Sequence, residues 1–464
     1  MDITVNTDSL LGKLTAIVGQ AGVLSAKQLV GRSASVWSGG ELKALALIRP
    51  GSTDEVSQVL KFCNDVGQAV VPVGGMSGLA GGHMSTGSDI MLSLERMNKI
   101  ESINGQGRTM TVQAGTILQA VQERAADSGL MFPLDLGARA SCTIGGNIAT
   151  NAGGVRVLRY GMMRDLVLGL EVVLADGTII SSMSGLMKNN TGYDIRQYFP
   201  GSEGTLGVVT RAILRLYEAP AGVETALLAV SSWDHVMGLL RYLDAALAGR
   251  LVAFEVLWRN YYELNTGQFS DLAPPLSATA PYYILIDVLA SDIEKSRAEL
   301  EALIMTCLEQ NQVVDAILAN SESERLKIWQ IRENFDPVRR KYPLHYSYDI
   351  SLPIHAMEDY IESARAQLTR RFQEAELFAY GHVGDGNLHL FVIPGAENRH
   401  DDVDEIIYGS LRNRGGSISA EHGIGLDKKR FLAYSRSEAE IDLMRRMKAM
   451  MDPRNILNPG KLFD

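Results

Sequence analysis

The chain opens on apolar positions at helical spacing, with Leu10, Leu11, Leu14 and Val18 on one side of a lead-in helix. From Leu42 the pattern shortens. Residues 44–48 form a continuous apolar run that stops at Pro50-Gly51. Ser52-Thr53-Asp54-Glu55 then opens a helix with good capping chemistry, whose apolar side is Val56, Val59, Leu60 and Cys63. Gly67 ends it, and 69–73 follows as a strand. The rhythm continues with a strand at 110–113, a helix at 117–126 and extended chain at 130–133. Residues 166–180 read as a hairpin turned at Asp176-Gly177, and 208–216 closes this region as a strand.

A second region begins near Ala219-Pro220. Strands at 226–230, 251–257, 282–288 and 313–318 alternate with helices at 235–247 and 293–309. This order predicts an α+β arrangement, a mostly antiparallel sheet with helices on one face. The last fifty residues are Gly-rich and then helical, and read as a return to the first domain. The predicted division is 1–218, 219–412 and 413–464. A length of 464 residues and an apolar fraction of 46% suit two cores. The net charge of -10 argues against nucleic acid as a partner. Cys63, Cys142 and Cys307 give neither a disulfide framework nor a thiol metal site, so a reducing compartment, the cytoplasm, is expected. No signal-peptide pattern or membrane-spanning apolar stretch is read, and peripheral membrane contact stays compatible.

Three glycine-rich pieces carry the first chemistry. Pro72-Val73-Gly74-Gly75-Met76-Ser77-Gly78-Leu79, continuing to Gly82, directly follows a strand. Such a loop can aim successive backbone N–H groups at a pyrophosphate; the plainer alternative is a flexible surface loop. Its spacing is neither GxGxxG nor GxxxxGK[ST], which disfavours a nicotinamide-first site and a nucleotide hydrolase. A second piece runs from Asp135 to Gly154, alternating small residues, hydroxyls and asparagines. The third is Gly201-Ser202-Glu203-Gly204-Thr205-Leu206-Gly207-Val208, a tight turn into a strand.

In order and wording (PVGG-S-GL, IGGNIATNAGG, GSEGTLGVVT) these pieces resemble the FAD domain of the vanillyl-alcohol-oxidase family. Within it the chain is similar to the branch of D-lactate dehydrogenases, the glycolate oxidase flavoprotein subunit and D-2-hydroxyglutarate dehydrogenases. The resemblance runs from about Pro50 to Asn458-Pro459-Gly460-Lys461. It implies a two-part FAD-binding domain in 1–218, a substrate domain in 219–412, and a returning segment. It also implies that Pro72, Val73, Gly74, Gly75, Met76, Ser77, Gly78 and Leu79 hold the pyrophosphate. Pro133, Gly137, Thr143, Gly145, Asn147, Asn151, Gly154, Glu203, Gly207 and Val208 would line the ring system and ribityl chain, with Asn458 and Lys461 near the flavin. No histidine stands at the first-loop positions where some relatives attach FAD covalently, so a noncovalent flavin is expected.

Of eight histidines, three fall in two short motifs, Gly381-His382-Val383-Gly384-Asp385-Gly386-Asn387-Leu388-His389 and Ser419-Ala420-Glu421-His422-Gly423-Ile424-Gly425. A hairpin turned at 384–387 would set His382 across from His389. If Glu421 and His422 serve one site the backbone must bend, which Gly423 and Gly425 permit. The set reads either as polar residues satisfied in turns or as a His2Glu site suited to catalytic zinc or a similar divalent ion. The resemblance implies His382, His389 and Glu421 as ligands and His422 as the base; sequence geometry does not separate those roles.

Oxidising a 2-hydroxy acid calls for a cation on the carboxylate. On a helix predicted at 321–335, Ile328, Ile331, Arg332 and Phe335 share a face, where Arg332 either snorkels or meets a ligand. The IRE triplet before a segment ending YDISLP is similar to the family's substrate arginine. The chain departs from D-2-hydroxyglutarate dehydrogenases at Ser347, where they carry lysine, at Phe391, where they carry asparagine, and at Asp336, where they carry threonine. Arg339, Arg340, Lys341 and His345 either compensate or are solvated. The resemblance implies an FAD-dependent, metal-assisted dehydrogenase of a D-2-hydroxy acid, of the D-lactate or D-2-hydroxyglutarate class, passing hydride to flavin N5. Without an Fe–S or haem pattern the acceptor is external, a quinone or electron-transfer flavoprotein ahead of oxygen. The alternatives are a non-redox FAD-containing transferase like the alkyl-glycerone-phosphate synthases, and a flavoprotein or silent subunit of a glycolate-oxidase-like complex. The oligomeric state stays open, a homodimer being one option.

Overall fold

The computed structural model describes residues 7–36 and 40–463. They form two compact units, one drawn from 7–36, 40–154, 160–219 and 421–463, the other from Val155–Arg159 and Pro220–Ala420. The return therefore begins at Glu421 rather than at 413. Ser417 and Ser351 exchange backbone hydrogen bonds of 2.8 and 3.0 Å, which keeps 413–420 in the second unit.

In the first unit a four-stranded sheet has the order Val23–Ser25, Ala46–Ile48, Ile90–Ser93, Val70–Val73, its last three strands parallel. Ala46–Ile48 and Ile90–Ser93 are buried at every residue, as parallel strands covered on both faces must be. The helix Thr53–Val66 is capped as predicted, with Ser52 Oγ accepting from Glu55 N (3.2 Å) and Gly67 closing it in the left-handed region. A second sheet is antiparallel, in the order Ile100–Asn104, Thr109–Gln113, Val208–Arg215, Val167–Val173, Ile179–Ser182. The strands Ile90–Ser93 and Ile100–Asn104 were not foreseen. A three-residue apolar run such as Ile90-Met91-Leu92 shows no period of its own.

The returning segment completes this unit. Val70 N donates to Ile456 O (2.7 Å) and Asn458 N to Val70 O (2.8 Å), so the chain's end adds to the edge of the four-stranded sheet. The helix Glu438–Met451 buries Lys448, whose Nζ donates to Thr205 O (2.9 Å) and Leu457 O (2.8 Å) and pairs with Asp452.

The second unit holds a seven-stranded antiparallel sheet, in the order Asp315–Leu318, Gly222–Val230, Tyr282–Ala290, Leu251–Trp258, Glu376–Gly381, Asn387–Ile393, Tyr346–Ser351. Helices cover both faces, not one. Leu227, Leu257, Tyr283, Leu285, Tyr380 and Phe391 pack with Tyr261, Tyr262, Ile328, Trp329 and Ile331 of the helices Arg259–Thr266 and Glu322–Glu333. The helices Trp233–Leu247 and Ile293–Glu309 contact the same central strands, and Tyr282–Ala290 is buried at all nine residues. A strand that is apolar throughout, rather than at alternate positions, is the sign of two covered faces. The helix predicted at 321–335 ends at Glu333 and Asn334 is extended; Asp336–Lys341 forms a separate turn of helix, because Pro337 has no N–H for the Glu333 carbonyl and its ring clashes with it, while proline is tolerated in a first turn.

Candidate active site

The His382–His389 hairpin forms with a different register. Tyr380, not His382, stands opposite His389. Val383–Asp385 is a short 3-10 turn closed by Gly386 at φ 89°, and this wider loop leaves His382 beyond the paired strand. Two residues along an antiparallel pair is still neighbouring on one face. The imidazoles lie 5.2 Å apart, nearly perpendicular, and both are buried. Across the other edge His389 pairs in register with Asp349, at 3.9 Å from Nδ1 to Oδ1. Asp349 is fully buried; it accepts from Asn387 Nδ2 (3.0 Å) and from the N–H of Ala420 (3.2 Å). Glu421 and His422 follow Ala420 directly. Gly423 and Gly425 have φ of 80° and 51°, which supplies the bend their motif was expected to need.

Arg332 sits in the last turn of the helix Glu322–Glu333 and is buried, so it does not snorkel. Its Nε donates to Glu255 Oε2 (2.8 Å) and its Nη2 lies 3.0 Å from His382 Nε2. The other oxygen of Glu255 meets His382 Nδ1 at 2.5 Å. Burial pushes the Glu255 carboxyl up, but the donors His382 and Arg332 outweigh it and hold it at about 2. Arg332 also lies over the Tyr380 ring, 5.1 Å from its centroid, and Tyr261 stacks on that ring while its hydroxyl donates to Arg332 O (2.8 Å). The arginine's helix is fastened to the sheet through Asp287, which accepts from Trp329 Nε1 (3.2 Å) and pairs with Arg325 (3.4 Å).

Glu255, Asp349 and Tyr380 were absent from the sequence-based candidates. The available signal was a lone acid within an apolar strand, Leu251-Val252-Ala253-Phe254-Glu255-Val256-Leu257, since such acids are rarely buried unless paired. Ser347 stands opposite Phe391 in the sheet, on the face that carries Asp349 and His389. Phe391 packs with Phe335 (5.8 Å) and Tyr380 (5.9 Å). Arg340 pairs with Asp271 (3.7 Å), Lys341 lies over Tyr342 and Phe269, and Arg339 is exposed. Of the four candidate compensating residues, His345 is the one against Phe391, edge-on at 5.7 Å.

In the first unit the glycine loops pack on one another. A side chain on Gly75 would overlap the Ser141 carbonyl, one on Gly154 the Asp135 carbonyl, and one on Gly74 the Thr143 hydroxyl. A Cβ on Gly145 would lie 2.8 Å from that of Ala114, and one on Gly207 would lie 2.6 Å from Val172 Cγ1. Chain-to-chain approach by itself requires these glycines; at Gly78 the nearest atom is His83 Nδ1 at 3.5 Å, and around Gly137 the space is open. Met76, Asn151, Glu203 and Asn458 all take left-handed backbone, with φ of 50°, 49°, 51° and 46°. Such strain in non-glycine residues gathers at ligand sites. The buried Asn458 donates from Nδ2 to Gly82 O (3.0 Å) and Glu203 O (2.7 Å), and its Oδ1 has no partner among the described residues. An orphaned buried acceptor inside a ring of backbone loops fits a polar cofactor. The side-chain oxygens of Glu203 accept from Ile424 N (2.7 Å) and Gly425 N (2.9 Å), and burial pushes its carboxyl upward.

Comparison with known proteins adds three findings. Residues 219–462 match the family described as FAD linked oxidases, C-terminal domain, and residues 44–182 match the FAD binding domain. The chain is 41% identical over 427 residues to the D-2-hydroxyglutarate dehydrogenase of Xanthomonas citri pv. viticola, covering 90% of this chain and 89% of that one. It is 38% identical over 419 residues to the mitochondrial D-2-hydroxyglutarate dehydrogenase of Bos taurus, covering 90% and 76%. It superposes on 4-ethylphenol oxidase from Gulosibacter chungangensis, in its isoeugenol complex, with a TM-score of 0.74 at 18% identity, covering 100% of this chain and 98% of that one; this likeness is one of fold.

Proposed function

The chain belongs to the FAD-linked oxidase family and is an FAD-dependent dehydrogenase, and from that premise we propose that it oxidises a D-2-hydroxy acid to the 2-oxo acid with help from a divalent metal. The observation that carries the substrate class is the buried Arg332 beside His382 and His389, in a chain akin to enzymes named for such an acid. The guanidinium uses Nε and Nη2 internally, and its Nη1 makes no bond to a described residue. That nitrogen is the natural donor to a substrate carboxylate. His382 and His389 with Glu421 would hold the metal, zinc by its nitrogen and oxygen donors. When bound, FAD supplies the two-electron acceptor and the metal polarises the substrate hydroxyl. His422 would take the proton from the C2 hydroxyl oxygen. The Phe335, Tyr380 and Phe391 rings would keep water from the substrate's far end.

Noncovalent FAD would lie against 72–79, 133–154 and 203–208, with Asn458 presenting Oδ1. Reoxidation falls to an external acceptor, a quinone or an electron-transfer flavoprotein. No helix among the described residues is long and apolar enough to cross a membrane. The deciding experiment is an anaerobic screen of D- and L-2-hydroxy acids that follows loss of the oxidised flavin absorbance. Bleaching by D-acids and not by their L-enantiomers is the expected result; no bleaching by any 2-hydroxy acid overturns the reading.

A further inference from the structure

We infer that Glu255 is a positioning residue that sets, with one carboxylate, both the tautomer of His382 and the rotation of Arg332. The inference rests on the function proposed above for those two side chains. Glu255 is 1% exposed and lies 127 residues from His382 in sequence. An ionised carboxylate only accepts hydrogen bonds. Its Oε1 stands 2.5 Å from His382 Nδ1, so Nδ1 carries the hydrogen. A guanidinium only donates. Arg332 Nη2 stands 3.0 Å from His382 Nε2, so Nε2 carries the lone pair. The two constraints come from different residues and agree on one neutral tautomer. A doubly protonated ring would set Nε2–H against Nη2–H.

The same carboxylate reaches Arg332 Nε through Oε2 at 2.8 Å, on the inner edge of the guanidinium. That contact turns the planar group so that Nη1 is left for the site. Tyr261, through Arg332 O, and the Tyr380 ring fix the rest of the side chain. A histidine that donates from Nδ1 to a carboxylate keeps its one lone pair on Nε2, where it accepts from Arg332 Nη2 and which a metal would take in place of that donor.

An amide at position 255 cannot replace the carboxylate. It offers one acceptor and one donor to two neighbours that both donate. Either its NH2 faces His382 and the ring reverses to Nε2–H, or it faces Arg332 and the guanidinium is released. The test uses holoenzyme labelled with 15N-histidine, the His382 signals being assigned by their loss in His382→Gln. We expect His382 as Nδ1–H with Nε2 unprotonated, and a shift toward Nε2–H in Glu255→Gln. In that variant zinc content should fall and KM for the hydroxy acid should rise about tenfold or more, with FAD content unchanged. Glu255→Asp should recover part of both. An Nε2–H tautomer in the unaltered protein overturns the inference, and so does a Glu255→Gln protein with unchanged tautomer, zinc content and KM. Should Glu255→Gln not fold, the tautomer in the unaltered protein decides alone. Failure of every hydroxy acid to bleach the flavin would remove the proposed function and leave the tautomer result standing.

Discussion

The two units build their sites from different material. In the first, backbone does the polar work: glycine loops stack carbonyl against Cα, and Met76, Asn151, Glu203 and Asn458 around them are held in left-handed backbone. In the second, side chains do it. His382, His389, Asp349, Glu255 and Arg332 come from three strands, a turn and a helix, and meet in a buried setting, Glu255, His382 and Arg332 through charge-assisted hydrogen bonds. A backbone-built cradle depends on contiguous words of sequence. A side-chain constellation depends on register and packing, which words do not carry. The difference also predicts how each fails.

The largest expected effect is in the second unit. Arg332→Met removes the substrate's proposed cation and leaves Glu255 buried without its charge partner. Breaking a buried pair from one side costs roughly 3–5 kcal/mol. We expect kcat/KM for D-2-hydroxy acids to fall at least about a hundredfold, and the melting temperature to drop, with the flavin still bound. Retained kcat/KM would show that the carboxylate is held elsewhere.

Next is the cradle. Gly75→Ala drives a methyl group into the Ser141 carbonyl, so one of the two loops must move. The expected outcome is a protein that purifies with little FAD and keeps its second-unit spectroscopic signals. Full FAD occupancy in this variant would mean that the loops give way freely, and the contrast between the units would weaken.

A smaller effect concerns what the substrate carries beyond C2. Phe391 faces Ser347, Arg340 pairs with Asp271 and Lys341 lies over Tyr342, so a distal carboxylate against the Phe391 ring would gain no cation from those two residues. D-lactate should compete well with D-2-hydroxyglutarate, and the paired changes Ser347→Lys and Phe391→Asn should move the ratio toward the diacid by about tenfold, which is 1.4 kcal/mol. A preference of about a hundredfold for the diacid in the unaltered enzyme would contradict this reading of the wall.

The smallest effect is a control on compactness. Burial pushes Cys63 up to about 12 and Cys142 up to about 11, and raises Cys307 as well. The thiolate is the reactive form, so these raised values withhold it throughout neutral pH. Native protein should resist iodoacetamide at pH 8 and take up three equivalents once unfolded. Rapid labelling of Cys142 alone would reveal opening beside Thr143.

Much of the first unit was legible because its motifs are contiguous. The capped helix at Thr53–Val66, the hairpin at Asp176-Gly177 and the bend at Gly423 and Gly425 all follow from local chemistry. What sequence reading missed is non-local. Whether Tyr380 or His382 stands opposite His389 is set by a single turn of 3-10 helix. Glu255 gains its role from partners 77 and 127 residues away. The second face of the large sheet is covered by helices whose docking no strand pattern announces, beyond the unbroken apolarity of Tyr282–Ala290.

The interleaving of the two units has a consequence for the order of events at the ribosome. Residues 220–420 emerge as a continuous stretch, so the second unit can fold while synthesis is under way. The first unit must wait. Val70 finds its edge partners at Ile456 and Asn458, nearly four hundred residues later, and Thr205 waits for Lys448. The loops at 72–79, 143–154 and 201–208 are synthesised early, but the acceptor Asn458 and the N–H groups that hold Glu203 arrive with the last stretch of chain. Flavin capture is thereby deferred until residues 424–458 have emerged, and a nascent chain stalled before them would carry the 220–420 stretch complete and the cradle unclosed.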